Sequence, residues 1–217
     1  MEYIEGFHLD DDLYKSLDIS LQEKAGKALG TQFQALRAVP SEGYYGRVNN
    51  QGWPAAEILA EGPSEENPDI LGPYSSYEQF INMLYNSALF KAATLRVQSD
   101  YGKEQLLILR NFIYSLSCVP ESERVPVLFH RDIHWQNIIF TEVRSPSGEV
   151  CDYKATLIDL ERLSWLPKWM QLGMLDLFTK FAFRNFYLEA AKALEPLNVP
   201  MGKWLCDHLM REVFVVL

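Results

Sequence analysis

Between His130 and Asn137 the chain reads His130-Arg131-Asp132-Ile133-His134-Trp135-Gln136-Asn137, and a second carboxylate, Asp159, closes the apolar run Ala155-Thr156-Leu157-Ile158. A carboxylate placed at an acceptor hydroxyl orients it and takes its proton. An amide oxygen and a second carboxylate are hard ligands of the kind Mg²⁺ prefers, and that ion neutralises nucleotide phosphates. Asp132 can supply the first function, and Asn137 with Asp159 the second. Together they form the side-chain set that phosphoryl transfer requires.

Taken singly, each residue has a plainer explanation. An isolated His-x-Asp is commonly a turn, and an Ile-Asp before a helix is commonly an N-cap. The order of the pieces carries the signal: a loop with this spacing, an apolar strand, a turn, a second apolar strand, then Asp159. A competing reading takes His130, Asp132 and His134 as metal ligands. In an extended strand these alternate residues share one face, and imidazoles with a carboxylate suit Zn²⁺ or Fe²⁺ in a hydrolase. That reading leaves Asn137 and Asp159 without a purpose.

Several elements must position this set. Asn137-Ile138-Ile139-Phe140 and Ala155 to Ile158 flank Ser145-Pro146-Ser147-Gly148, a strong turn signal, so a hairpin is expected that brings Asn137 and Asp159 side by side. Upstream, Ser20 with Glu23 reads as a capping box. Leu21, Ala25, Ala28, Leu29, Phe33 and Leu36 follow at helical spacing up to Pro40. Residues 41–74 are rich in Gly, Pro, Asn and Glu, a long loop-rich insert with a substrate-side or lid role in view. Ser75 with Glu78 opens a second amphipathic helix through Phe80, Met83 and Leu84. The run from Leu106 to Leu116 reads as a buried central helix, and helices resume beyond Pro167 from Leu172 to Ala193 and from Met201. Met1 to Ile4 reads as the end of a strand that breaks at Gly6. The fold class expected is α+β and mostly helical, with a small hairpin carrying the chemistry.

Composition narrows the function. Hydrophobic residues make up 48% and charged residues 23% of the 217, which suits a packed core. A net charge of -9 argues against a general nucleic-acid binder and leaves a cationic small molecule open as a partner. The three cysteines, Cys118, Cys151 and Cys206, form no Cys-x-x-Cys pair, which fits a reducing compartment. The N-terminus is neither a signal nor a transit sequence, and no apolar run reaches bilayer length, so a cytoplasmic protein without a membrane partner is expected.

The loop fits the H-R-D-[L/I]-x-x-x-N pattern of protein kinases and their relatives. More closely, the sequence resembles the aminoglycoside phosphotransferase and choline kinase-like family, especially its fungal members. That family's loop typically reads H-G-D-L-H-x-x-N and its metal-binding segment I-D-W-E, matched here by His130 to Asn137 and by Ile158-Asp159-Leu160-Glu161. His134 and Glu161 point to the small-molecule branch, whereas Arg131 stands where the family usually has Gly. Met1 to Gly6 looks like the family's hinge between lobes, and Trp165-Leu166-Pro167-Lys168-Trp169 resembles the segment after the metal-binding aspartate.

The resemblance implies a protein kinase-like C-terminal lobe over residues 1–217, with a hinge remnant at 1–6, the insert at 41–74 and the catalytic loop and hairpin at 125–161. It implies ATP and Mg²⁺ as cofactors and a small hydroxylated substrate. Asp132 would be the catalytic base and Asn137 and Asp159 the metal ligands. His130, His134 and Glu161 would support them, and the backbone of Glu2, Tyr3 and Ile4 would hold the adenine edge. The family's Gly-rich loop and its lysine–glutamate pair would precede the hinge, where this chain starts. The expectation is therefore a truncated form of a small-molecule kinase. The alternative is a kinase-like binding or scaffold protein without catalysis.

Overall fold

The computed structural model describes residues 4–54, 70–96, 114–171, 175 and 183–194. Glu2 and Tyr3 of the expected hinge lie outside these residues, as do residues 55–69 of the insert, most of the apolar run ending at Leu116, and everything from Met201 onward.

Two helices open the described chain. α1 (Asp11–Ser16) is capped by Asp10, whose carboxylate accepts from the Leu13 N–H at 2.9 Å. Asp11 and Asp12 in the first turn complement the positive end of the helix dipole, which accounts for this acidic run being helical. α2 (Ile19–Arg37) starts from Asp18, whose side chain accepts from Leu21 N–H at 2.8 Å. The cap is thus Asp18 and not Ser20, two residues earlier than the Ser20/Glu23 spacing suggests. Ala25, Leu29 and Phe33 are buried on one face of α2, and each large side chain so buried contributes about 1.5–3 kcal/mol.

α3 (Tyr77–Arg96) also begins one residue from expectation. Ser76 Oγ accepts from the Gln79 N–H, and the Gln79 carboxamide takes the Ser75 N–H and hydroxyl. Phe80, Met83 and Leu84 are buried in the core. A one-turn helix, α4 (Glu121–Arg124), precedes the strands of the site, and α5 (Arg184–Lys192) packs on α2. Gly26 and Gly30 make that packing possible: a Cβ on Gly26 would lie 2.2 Å from the Phe186 carbonyl oxygen, and one on Gly30 would lie 2.6 Å from Ala193 Cβ.

Among the described residues the strands form three small antiparallel sheets. β1 (Gly46–Arg47) and β4 (Pro126–His130) flank β7 (Leu163–Pro167). β2 (Trp53–Pro54) pairs with β3 (Ile70–Leu71), so the described ends of the insert are pinned as strands. β5 (Ile138–Arg144) and β6 (Val150–Leu157) pair across the Ser145–Gly148 turn, and Phe7 bridges Phe140 on the outer side of β5. The fold is mixed helix and strand.

A polar knot joins the C-terminal end of α2 to the far end of β7. Arg37 donates to Gln171, to the Leu194 carbonyl and to the Lys168 carbonyl, while Lys168 pairs at 3.1 Å with the buried Glu123. Burial pulls the Arg37 guanidinium down to about 10, and the Glu123 carboxylate opposes that shift. Among the described residues, no helix is long and apolar enough to cross a membrane.

Candidate active site

Two strand pairings face the chemical residues toward one another. In β4–β7, His130 stands opposite Leu163; in β5–β6, Ile138 stands opposite Leu157. The loop from Arg131 to Asn137 therefore leaves and enters strands whose partners bound the loop from Ile158 to Arg162. Backbone bonds close both ends: Arg131 N–H to Arg162 O at 3.3 Å, and Ile158 N–H to Asn137 O at 3.0 Å. The apolar sequences of these strands thus fix where Asp132, Asn137 and Asp159 lie.

His130 is fully buried and ties the two loops together. One ring nitrogen, Nε2, lies 2.9 Å from the Ile158 carbonyl, and the other, Nδ1, lies 3.2 Å from the Asp132 amide nitrogen. A carbonyl only accepts and a backbone N–H only donates, so the ring carries its hydrogen on Nε2 and accepts at Nδ1. Both nitrogens are committed to the backbone. The Asp132 side chain is 26% exposed and so partly reached by solvent.

Asn137 donates through Nδ2 to the Asp132 carbonyl at 3.1 Å, which fixes the amide orientation and leaves Oδ1 as the atom that could ligate a metal. Asp159 is exposed, with φ 55° and ψ 60°, in the left-handed region. It occupies the N-cap position of the short 3₁₀ turn Leu160–Arg162, yet its carboxylate makes no capping bond there. The plain N-cap explanation therefore fails for Asp159. A non-glycine residue held in this conformation costs on the order of 1 kcal/mol, and such strain clusters at functional sites. The donor set of one amide oxygen and one exposed carboxylate fits a hard divalent ion that takes its other ligands from phosphate and water.

Other side chains complete the surroundings. Arg162 Nε lies 4.0 Å from Asp132 Oδ2, a contact that sequence spacing alone did not single out. The Arg131 guanidinium sits 5.9 Å over the Trp53 ring, and Trp53 Nε1 donates to Ser164 Oγ at 3.1 Å. Arg47 donates to the Glu161 carbonyl, so β1 and β2 of the insert grip both loops; the Glu161 side chain itself is exposed. The His134 ring is exposed and its Nδ1 lies 3.4 Å from the Gln136 nitrogen, capping the 3₁₀ turn Trp135–Asn137. From beneath, the buried Tyr187 hydroxyl donates to the Ile133 carbonyl at 3.3 Å. No sequence pattern linked Tyr187 to the loop.

The geometry does not favour the His130–Asp132–His134 metal triad. His130 is buried with both nitrogens engaged, whereas His134 is exposed. Among the described residues no group of three or more His, Cys, Asp or Glu side chains converges on a metal position. Of the expected hinge, Ile4 is exposed, and the segment after it joins β5 through Thr141 Oγ1 to Glu5 O at 3.0 Å and reciprocal bonds between Phe7 and Phe140.

No family model and no curated protein matches the sequence. Solved structures do match the fold. The chain is similar to the ADP-bound crystal structure of aminoglycoside phosphotransferase APH(2'')-Ib, with a TM-score of 0.52 and 11% identity. That match covers 94% of this chain and 58% of the other. A ternary complex of a thermostable mutant of aminoglycoside phosphotransferase APH(4)-Ia with AMP-PNP and hygromycin B aligns with a TM-score of 0.46 at 12% identity. It covers 96% of this chain and 69% of the other. The first match shows that the chain shares the fold of that structure over most of its own length, and that it spans little more than half the length of that enzyme.

Proposed function

We propose that the chain carries the catalytic half of an ATP- and Mg²⁺-dependent phosphotransferase acting on a hydroxyl of a small molecule. One observation carries the reading: strand pairing and the His130 bridge hold Asp132 and Asn137 opposite a strained, non-capping Asp159.

In this reading Asp132 orients the acceptor hydroxyl and takes its proton, with Arg162 beside it to hold the carboxylate. Asn137 Oδ1 and Asp159 would hold Mg²⁺, which when bound neutralises charge on the nucleotide phosphates. His130 braces the backbone, His134 and Glu161 line the rim, and the backbone around Glu2, Tyr3 and Ile4 would meet the adenine edge. A lobe bearing a Gly-rich loop and a lysine would complete the nucleotide site. The insert at 41–74 and the acidic helices would shape the acceptor pocket, where the net charge of -9 suits a cationic acceptor.

The test is a titration of Mn²⁺·ADP into the isotopically labelled chain. Paramagnetic broadening should appear first at Asn137, Ile158 and Asp159, and the variants N137A and D159N should remove it. Broadening centred on Asp10, Asp11 and Asp12, with Asn137 and Ile158 unaffected, would overturn the reading.

A further inference from the structure

We infer that α5 is a positioning element for Asp132 and that Tyr187 is the residue through which it acts. The inference rests on the phosphotransferase reading for its meaning but on packing for its evidence. Asp132 sits in a loop whose backbone polar groups are held by side chains rather than by a ladder. Its N–H is taken by His130, its carbonyl by Asn137, and the next carbonyl, that of Ile133, by Tyr187. The first two side chains stand at the loop's own two ends, His130 closing β4 and Asn137 preceding β5. Tyr187 ties the loop to a separate helix, and Ile133 is fully buried.

A hydroxyl can reach that carbonyl only if α5 lies close. Gly26 and Gly30 on α2 let it do so, because a methyl at either place would strike the backbone or Cβ of α5. Further contacts set the rotation of α5 about its axis. Asn185 Nδ2 donates to Gln22 Oε1 at 3.1 Å, Gln34 donates to the Ala193 carbonyl at 3.0 Å, and the Phe186 N–H reaches the Tyr14 hydroxyl at 3.4 Å. Phe186 packs edge-on against Phe140 of β5, at 5.9 Å between centroids, so one helix contacts both the catalytic loop and the strand leaving it. The chain of cause runs from two glycines, through a close helix pair, to the hydroxyl that holds the residue following Asp132.

The experiment compares the full chain with its Tyr187→Phe variant by amide hydrogen exchange. Removing only the hydroxyl should speed exchange about tenfold at Asp132, Gln136 and Asn137. Protection at Phe140 in β5 should change far less, and the thermal midpoint should fall by only a few degrees, as the loss of one buried hydrogen bond implies. Equal exchange in the two proteins, or a rise shared by β5 and α2, would overturn the inference. Phe186→Leu serves as the packing control: it should lower the midpoint without a selective effect on the loop. Where the parent chain turns over an acceptor, Tyr187→Phe should lower kcat five- to tenfold at unchanged KM for ATP. The phosphotransferase reading stands or falls by the Mn²⁺·ADP titration, and the exchange comparison decides the role of Tyr187 independently of it.

Discussion

Asp159 holds a backbone conformation that glycine adopts freely and an L-residue adopts at a cost, yet its side chain returns no capping bond to offset that cost. On the phosphotransferase reading the carboxylate is kept there for the metal, and stability and activity then oppose one another at this position. Asp159→Gly is therefore expected to raise stability by up to about 1 kcal/mol, read as a higher urea midpoint at unchanged slope, because relief of the left-handed strain outweighs the added freedom of the unfolded chain. The same variant should lose Mn²⁺·ADP broadening at Asn137. A clear drop in the urea midpoint would mean that the carboxylate stabilises the fold and that its strain needs no functional account. Asp159 was legible as a candidate because an apolar strand ending in Asp is a local pattern. Arg162 was missed because its contact with Asp132 depends on the turn that Asp159 makes, and dihedral angles are not written in residue types.

At the scale of elements, the α2–α5 pair shows which of two opposing effects wins. On an exposed helix face, Gly→Ala gains about 1 kcal/mol of helix propensity. On α2, the methyl of Gly26→Ala would sit 2.2 Å from the Phe186 carbonyl oxygen, which is backbone and cannot rotate away. Overpacking of this kind costs about 1–3 kcal/mol or more, so the variant is expected to be less stable by roughly 2 kcal/mol, measured by chemical denaturation. A Gly26→Ala protein as stable as the parent would show that the helices are not in contact there. The helices themselves were legible, since Ala25, Leu29 and Phe33 recur at helical spacing and are buried. The hairpin positions were legible too, because Ser145-Pro146-Ser147-Gly148 separates two apolar runs. The β4–β7 pairing was not, because residues 127 and 166 are joined only through the hairpin between them, and periodicity carries no partner information. Caps shifted by a residue or two for a related reason: Asp18, Ser20, Ser75 and Ser76 are all competent caps, and tertiary packing chooses among them.

For the molecule as a whole, buried phenols set the behaviour at alkaline pH. Burial pushes Tyr45 up to about 12, with the Arg124 guanidinium opposing. Burial likewise raises Tyr77 and Tyr187 further, and it raises Tyr14, Tyr44, Tyr74 and Tyr153 as well. A phenol whose folded pKa exceeds its unfolded value near 10 stabilises the fold fully below pH 10. That contribution is lost as pH rises through the folded value. For Tyr45 the window is pH 10 to about 12, and the contribution is on the order of 2 kcal/mol. Arg37 works in the opposite sense: its folded value of about 10 lies below the ordinary one, so its share of stability grows with pH over the same window. The phenols outnumber it, and each phenolate also adds to a chain already at -9. The urea midpoint is therefore expected to hold steady up to about pH 10 and then fall, in step with phenolate absorbance. Tyr45→Phe should make the fall shallower by on the order of 2 kcal/mol across the window. A midpoint flat to about pH 12 would mean that these phenols are as hydrated in the folded chain as in the unfolded one. Tyr45 stacks on Phe80 at 5.2 Å and meets Tyr77 edge-on at 6.2 Å between ring centroids, and that buried packing would then have to be abandoned.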